Sequence, residues 1–255
     1  MKLWRKLALV ALVSVVVPMG VSAQDKAETY LDADIVSHYM WRGTDMGGIS
    51  IQPEMSVKWK GLKVKADGNV GFESTDTKEL NVSLGYERFG FNVGVKDYWV
   101  SGVDENNLYF NYKERGAHRL EGNIGYTCKY GSLQAYTMFW GNDFKINGKR
   151  AYSTYVELNV PFKLGGVDWN LGVGGTPFES AGRKETTTEH TDKGDILHNK
   201  YYFYYAEGPA CVMASLRATK TLDLSFTHLP VYVEFHTNPY LQTAQLLFGM
   251  TITPF

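Results

Sequence analysis

Apolar and polar residues alternate one for one over stretches of about ten residues, repeatedly, along this 255-residue chain. Ile49, Ile51, Pro53, Met55, Val57 and Trp59 share one phase, and Ser50, Gln52, Glu54, Ser56, Lys58 and Lys60 the other. Beyond Gly61, Leu62, Val64, Ala66, Val70 and Phe72 oppose Lys63, Lys65, Asp67 and Asn69. Upstream, Leu31, Ala33, Ile35, Tyr39 and Trp41 oppose Asp32, Asp34, His38 and Arg42. A period of two belongs to extended chain, in which successive side chains point to opposite faces. Ten residues at about 3.3 Å each, tilted by ~40°, climb about 25 Å, the height of the apolar band of an outer-membrane barrel. Strands of a soluble sandwich are nearer ~5–6 residues.

Twelve such segments are legible: 30–42, 49–60, 62–72, 79–88, 91–100, 118–128, 132–141, 151–162, 166–174, 211–222, 227–237 and 244–254. Short links near Gly61, Gly90, Gly131 and Gly165 alternate with longer polar ones. Short turns on one side and long loops on the other characterise a bacterial barrel, and an even count brings both chain ends to the short-turn side. The expectation is an all-β fold, a transmembrane antiparallel up-and-down barrel of about 12 strands. Leu108–Tyr112 falls in the third long loop, and Thr176–Pro209 is the longest one. Aromatics gather at strand ends: Trp41, Phe72, Trp99 and Tyr152 at one level, Trp59, Phe91, Tyr126, Phe162 and Trp169 at the other. Amphipathic rings favour both membrane interfaces. For the first hairpin, placing Trp41 opposite Ile49 and Leu31 opposite Trp59 pairs Asp32 with Lys58.

The N-terminus reads as an export address. Lys2, Arg5 and Lys6 precede the apolar run Leu7–Val17, then Pro18, Gly20 and the small residues of Val21-Ser22-Ala23. That is a secretory signal peptide over 1–23, leaving a barrel domain over 24–255 and a destination in the bacterial outer membrane. Removing three cations takes the formal charge from −1 to about −4. No basic block is present to displace counterions from a phosphate backbone, which argues against nucleic acid as a partner. Cys128 and Cys211 are too few for a disulfide framework and are expected as buried or lipid-facing thiols.

The run Ser37-His38-Tyr39-Met40-Trp41-Arg42-Gly43, with Gln52-Pro53-Glu54 and Gly61-Leu62 after it, resembles the opening of the TorF-type porin family. Its core is Ser-x-Tyr-x-x-Arg-Gly. Tyr152-Ser153-Thr154-Tyr155, Asn238-Pro239-Tyr240 and Gly249-Met250-Thr251 are similar to barrels of this group from Bacteroidota. The resemblance implies an outer-membrane barrel in Gram-negative cells, and it carries no solute with it. A C-terminal aromatic, here Phe255, is the usual signal to the barrel-assembly machinery, although Leu246, Phe248, Met250 and Ile252 lie on the opposite phase and Pro254 interrupts the ladder.

The inward phase carries the candidate function. Asp32 and Asp34, then Lys58, Lys60, Lys63 and Lys65, then Glu87, set acid against base across the short-turn half of the lumen. Glu54, Lys96, Arg119 and Glu121 share that face, with His38 and Arg42 near the mouth. Such charges either impose a transverse field on small polar solutes in a narrow pore or stitch the lumen shut by salt bridges. Eight strands leave an interior filled by side chains and 16 an open channel, and twelve lie between. Arg42 is read as pinning a loop or pairing with a lumen carboxylate, ahead of binding an anionic solute. Tyr201, Tyr202, Phe203, Tyr204 and Tyr205 decorate a β-extension above the membrane or offer stacking faces at the entrance. The alternative to a porin is a closed barrel whose loops bind a partner or a surface glycan; an outer-membrane hydrolase comes third. No His has a Ser two positions away, the spacing that would set both on one strand face. Glu189, His190, Asp192, Asp195 and His198 match no rigid metal motif, and no cofactor fingerprint is present. The expected partners are therefore outer-membrane lipid, the assembly machinery and small polar solutes, with no catalytic activity.

Overall fold

The computed structural model describes residues 26–254 apart from 74, 75, 77, 102–107, 192, 193 and 226, with backbone alone for 189–191, 194–197 and 201. The segment 1–23 and Phe255 lie outside the described residues. Alternation becomes geometry in twelve antiparallel strands that close on themselves. In chain order these are β1 (Glu28–Val36), β4 (Ser50–Trp59), β5 (Leu62–Gly71), β6 (Lys78–Arg88), β7 (Phe91–Ser101), β8 (His118–Cys128), β9 (Gly131–Gly141), β10 (Thr154–Leu164), β11 (Val167–Thr176), β14 (Ala210–Leu224), β15 (Thr227–Asn238) and β16 (Thr243–Ile252). Each pairs with its neighbour, and β1 pairs β16 through Ile35 and Met250 to complete the ring. Closure leaves no unpaired edge, the condition under which strands can cross an apolar medium.

Two-residue turns join the strands at one end, as at Lys60-Gly61 between Trp59 and Leu62 and at Phe89-Gly90 between Arg88 and Phe91. All four residues of these two turns have positive φ, the backbone twist that suits a tight hairpin. Lys60 therefore sits in a turn, exposed, and not on the lumen ladder where its phase had placed it. Both strand termini of the ring, Glu28 and Ile252, lie at this end. Outward positions such as Leu84, Val93, Ile124, Leu133, Phe235 and Phe248 are exposed apolar residues. Inward positions are polar or buried. At the short-turn end the outward rings pair across strands, Phe91 with Tyr126 at 4.7 Å and Phe162 with Trp169 at 6.1 Å. Cys128 and Cys211 are free and exposed.

Two additional hairpins occupy long links. β2 (Tyr39–Trp41) and β3 (Thr44–Gly47) form one, and β12 (Gly182–Thr191) with β13 (Gly194–Phe203) the other. The first corrects the sequence reading, which drew one continuous strand over 30–42. The chain bends at Ser37 and His38, where the Ser37 amide donates to the Phe248 carbonyl at 2.9 Å and its hydroxyl accepts the Phe248 amide at 3.0 Å. The alternation runs on through Tyr39 and Trp41 because they form a second strand turned inward. Trp41 is thus no girdle residue. Its ring stacks on Tyr205 at 5.8 Å and meets Tyr98 edge-on at 6.1 Å. At the other end of the chain β16 stops at Ile252, ahead of Pro254.

The first wall-to-wall register is also corrected. Asp32 pairs with Glu54 and Leu31 with Met55, while Lys58 lies opposite Glu28. Losing residues 37–49 from the ladder slides the pairing by four positions. Four is even, so every inward side chain stays inward. Directly paired Cα atoms are ~4.5–5.5 Å apart, within disulfide reach, whereas a four-residue offset adds about 13 Å. In a Cys128→Ser, Cys211→Ser background, Leu31→Cys with Met55→Cys should oxidise to a cross-link on a non-reducing gel. Leu31→Cys with Trp59→Cys should not; the opposite pattern would favour the register with Leu31 opposite Trp59.

Candidate functional site: an inward hairpin and its charged lumen

The β2–β3 hairpin turns at Arg42-Gly43, with φ of 48° and 87°. These two left-handed residues let a two-residue turn present its tip to the barrel interior. A Cβ at Gly43 would stand 1.8 Å from the Val212 carbonyl oxygen, so only glycine permits the tip to approach β14 this closely. Asn238 of β15 donates to the Gly43 carbonyl at 3.1 Å, Gln245 of β16 to Asp45 at 2.7 Å, and Tyr39 to Glu79 of β6 at 3.0 Å. The hairpin is therefore tied to walls on several sides.

At the tip, Arg42 meets Glu121 of β8 in a two-pronged contact. Nη1 reaches Oε2 at 2.6 Å and Nη2 reaches Oε1 at 2.8 Å. The side chains are 9% and 2% exposed. Tyr98 donates to the same carboxylate at 2.9 Å, and Arg42 donates also to the Tyr205 hydroxyl at 2.6 Å. The guanidinium lies over the rings of Tyr136 at 4.1 Å, Trp41 at 4.7 Å and Tyr155 at 4.9 Å. Planar shape, donor fork and affinity for aromatic faces make arginine suited to this setting, where lysine would supply a point charge. Burial pushes the Tyr205 hydroxyl well above the usual phenol range, and the adjacent Arg42 draws it only partly back. Burial likewise pushes Tyr204 up to about 12. Both stay neutral at physiological pH.

Tyr204 and Tyr205 correct a sequence expectation. Only Tyr201, Tyr202 and Phe203 belong to the β12–β13 ribbon, while the next two residues leave it and turn inward. The Ser180 hydroxyl holds this segment, accepting the Tyr205 and Ala206 amides at 2.9 and 3.1 Å. Tyr205 stacks on Tyr155 at 5.4 Å. Room for Tyr155 comes from Gly174 of β11, where a Cβ would fall 2.0 Å from the phenol oxygen.

Beside the hairpin the charges form a ladder along β4–β7. Glu54 is 2.9 Å from Lys65 and 3.7 Å from Lys63; Asp67 is 3.3 Å from Lys65 and 2.9 Å from Lys96. Near the short-turn rim Lys58 and Glu87 pair at 3.2 Å, both substantially exposed. Asp34 accepts a hydrogen bond from Thr251 at 2.6 Å. On the far wall Glu234 takes Arg217 at 2.6 Å and His236 at 3.0 Å. Of the remaining candidates, His38 is exposed in the bend. Arg119 donates to the Asn142 carbonyl at 3.1 Å at the long-loop end. The ribbon's acidic and histidine cluster falls on residues whose side chains are not described, apart from the exposed His198.

A cavity of about 230 Å³ opens against the hairpin, and its lining includes Asp32, Asp34, Glu54, Lys96, Trp41 and Tyr98. Asp67, Asn81, Tyr98 and Tyr155 escaped the sequence reading as site residues. Three of these carried a signal in their phase, since Tyr98 and Tyr155 are aromatics on the polar face and Asp67 follows Lys63 and Lys65 on it.

No family model matches the chain, and no curated protein matches it. Among solved structures, a Salmonella typhi OmpF in complex with daunomycin aligns over 92% of this chain and 100% of that one, at 10% identity and a TM-score of 0.35.

Removing one partner of a buried ion pair strands the other and costs ~3–5 kcal/mol. Arg42→Ala should therefore release the hairpin locally, before the ring itself opens. Amides over 39–47 should lose hydrogen-exchange protection while those of β8 keep theirs. Uniform protection in the variant would mean that the pair does not hold the hairpin.

Proposed function

We propose that this chain is an outer-membrane barrel that passes small polar solutes passively, through a lumen narrowed by its own first long loop. The observation that carries this reading is the division of the closed ring into two faces. Its outside is exposed and apolar over the strand length that spans a bilayer, while its inside bears the connected ladder Lys65–Asp67–Lys96 and the separate pair Arg42–Glu121. Solutes meeting that ladder would be sorted by charge and size. The export-type N-terminus and the aromatic rings at the strand ends agree with an outer-membrane location, short turns toward the periplasm and long loops outward. The likeness of the Ser37–Gly43 run to the TorF-type porins supports this proposal on the motif alone. In this reading the barrel is a conduit and performs no catalysis.

A second reading has an observation of its own. Trp41, Arg42, Tyr155 and Tyr205 pack against one another inside the ring, so a barrel closed at rest, with the β12–β13 ribbon presented to a partner or glycan, is the alternative.

Purified protein in a planar bilayer separates the two. The pore reading predicts discrete conductance steps that become several-fold larger in Arg42→Ala. Silence from both proteins in lipid would favour the closed barrel. Insertion is tested independently at Val82, an outward residue in the middle of β6. Val82→Arg should cost ~2–4 kcal/mol of barrel stability in lipid, lowering the folded fraction, while Val82→Leu should not. Equal folding of both variants would contradict a lipid-facing Val82.

A further inference from the structure

We propose that residues 108–116 form a strap clasped to the outside of the barrel by a proton held between His118 and Asp97, so that acid fastens the strap and alkali releases it. Strand phase puts the two groups on the outer wall. On β7, Asp97 alternates with Val93, Val95 and Trp99, and on β8 His118 shares the outward face with Leu120 and Ile124. An acid and an imidazole on an otherwise apolar wall must be paired and covered. The strap covers them. The Tyr112 ring stacks on the imidazole at 3.9 Å, while Tyr109 meets it edge-on at 5.4 Å and Trp99 edge-on at 5.5 Å. The Tyr112 hydroxyl donates to Asp97 at 2.8 Å, and the Trp140 indole of β9 donates to the Tyr112 carbonyl at 3.3 Å.

Both ring nitrogens of His118 face acceptors. The side chain is 0% exposed, so the protein must supply a partner for each. Nδ1 lies 2.9 and 3.0 Å from the two Asp97 carboxylate oxygens, and Nε2 lies 2.5 Å from the Tyr109 carbonyl oxygen. A carbonyl only accepts, so Nε2 carries a hydrogen, and a neutral imidazole then has none left for Nδ1. The contact therefore holds one proton more than a neutral imidazole beside a carboxylate. Without that proton one nitrogen faces an acceptor bare, a costly arrangement in a buried site. The titratable groups facing the ring are Asp97 from β7 and Tyr109 and Tyr112 from the strap. Burial, with Asp97 nearby, pushes both phenols up, so they stay neutral where histidines titrate. Arg119, next on β8, points to the other face and donates to the Asn142 carbonyl, and Gly141 of β9, packed on the His118 backbone, carries no charge. Lys113, Glu114 and Arg115, farther along the strap, are exposed. A docked strap that binds one more proton than a released one gains stability as pH falls and loses it as pH rises.

This clasp goes beyond the pore reading and does not require conduction. The test uses the refolded, full-length barrel in lipid. Imidazole ¹⁵N NMR reports the proton on His118, and exchange protection of amides 109–116, corrected at each pH for intrinsic exchange, reports the strap. At about pH 6 both ring nitrogens should be protonated and the strap protected. By about pH 9 one nitrogen should be bare and strap protection should fall about tenfold, while the β8 amides from Glu121 to Tyr126 keep theirs and show the ring intact. Asp97→Asn leaves an acceptor for Nδ1 but removes the charge that holds the proton, so release should move about one pH unit lower. In His118→Gln whatever strap protection remains should not change with pH. A strap that stays protected after the imidazole has lost its proton would overturn the proposal. So would a docked strap at about pH 6 over a ring with one bare nitrogen, or pH-dependent release that persists in His118→Gln.

Discussion

A guanidinium inside a β-barrel is charged at every accessible pH, so the protein must surround it with compensating groups or keep it out. Here the compensation comes from five side chains. Glu121 supplies both carboxylate oxygens, Tyr205 a hydroxyl, and Tyr136, Trp41 and Tyr155 three aromatic faces. Those groups come from β8, β9, β10, the hairpin and the segment that follows the ribbon. One side chain thereby couples elements far apart in sequence, as buried hydrogen-bonded pairs do when every member is satisfied. The shape of the lumen depends on it. With the tip held at Glu121, Trp41 lines the cavity and Tyr205 stacks on both Trp41 and Tyr155.

Much of this architecture was legible because a closed barrel imposes a strict rule on its sequence: alternate residues must suit an apolar exterior and a polar interior. All twelve strands of the ring follow from that rule, and their ends agree with the structure to within a few residues, save at the first. What failed there was continuity. Tyr39 and Trp41 preserve the phase across the bend at Ser37 and His38, and a period of two does not reveal that the chain has changed direction. The turn that follows, Arg42-Gly43, lacks the Asn or Asp that usually announces a tight hairpin. From that one error came the others, the four-residue register offset, the pairing of Asp32 with Lys58 and the placement of Trp41 among interfacial rings.

The lumen charges were legible by face and not by partner. Lys96 and Glu121 are direct cross-strand neighbours, yet each bonds elsewhere, Lys96 to Asp67 and Glu121 to Arg42. Long side chains on the inside of a ring can reach across strands and loops, so strand adjacency alone does not decide which pairs form. The corrected register matters to function for the same reason. Asp32 beside Glu54 is an acid among acids, and the polarity of that wall follows from pairing that no single strand's sequence contains.

The central claim is that the first long loop folds into the lumen and is fastened there by Arg42 and Glu121. Solid-state NMR on the barrel reconstituted in lipid can measure it directly, through the dipolar coupling between ¹⁵N in the Arg42 guanidinium and ¹³C in the Glu121 carboxylate. The account predicts a strong coupling from direct contact, with N···O distances of 2.6 and 2.8 Å, that disappears in Arg42→Lys. A folded barrel without that coupling would contradict it.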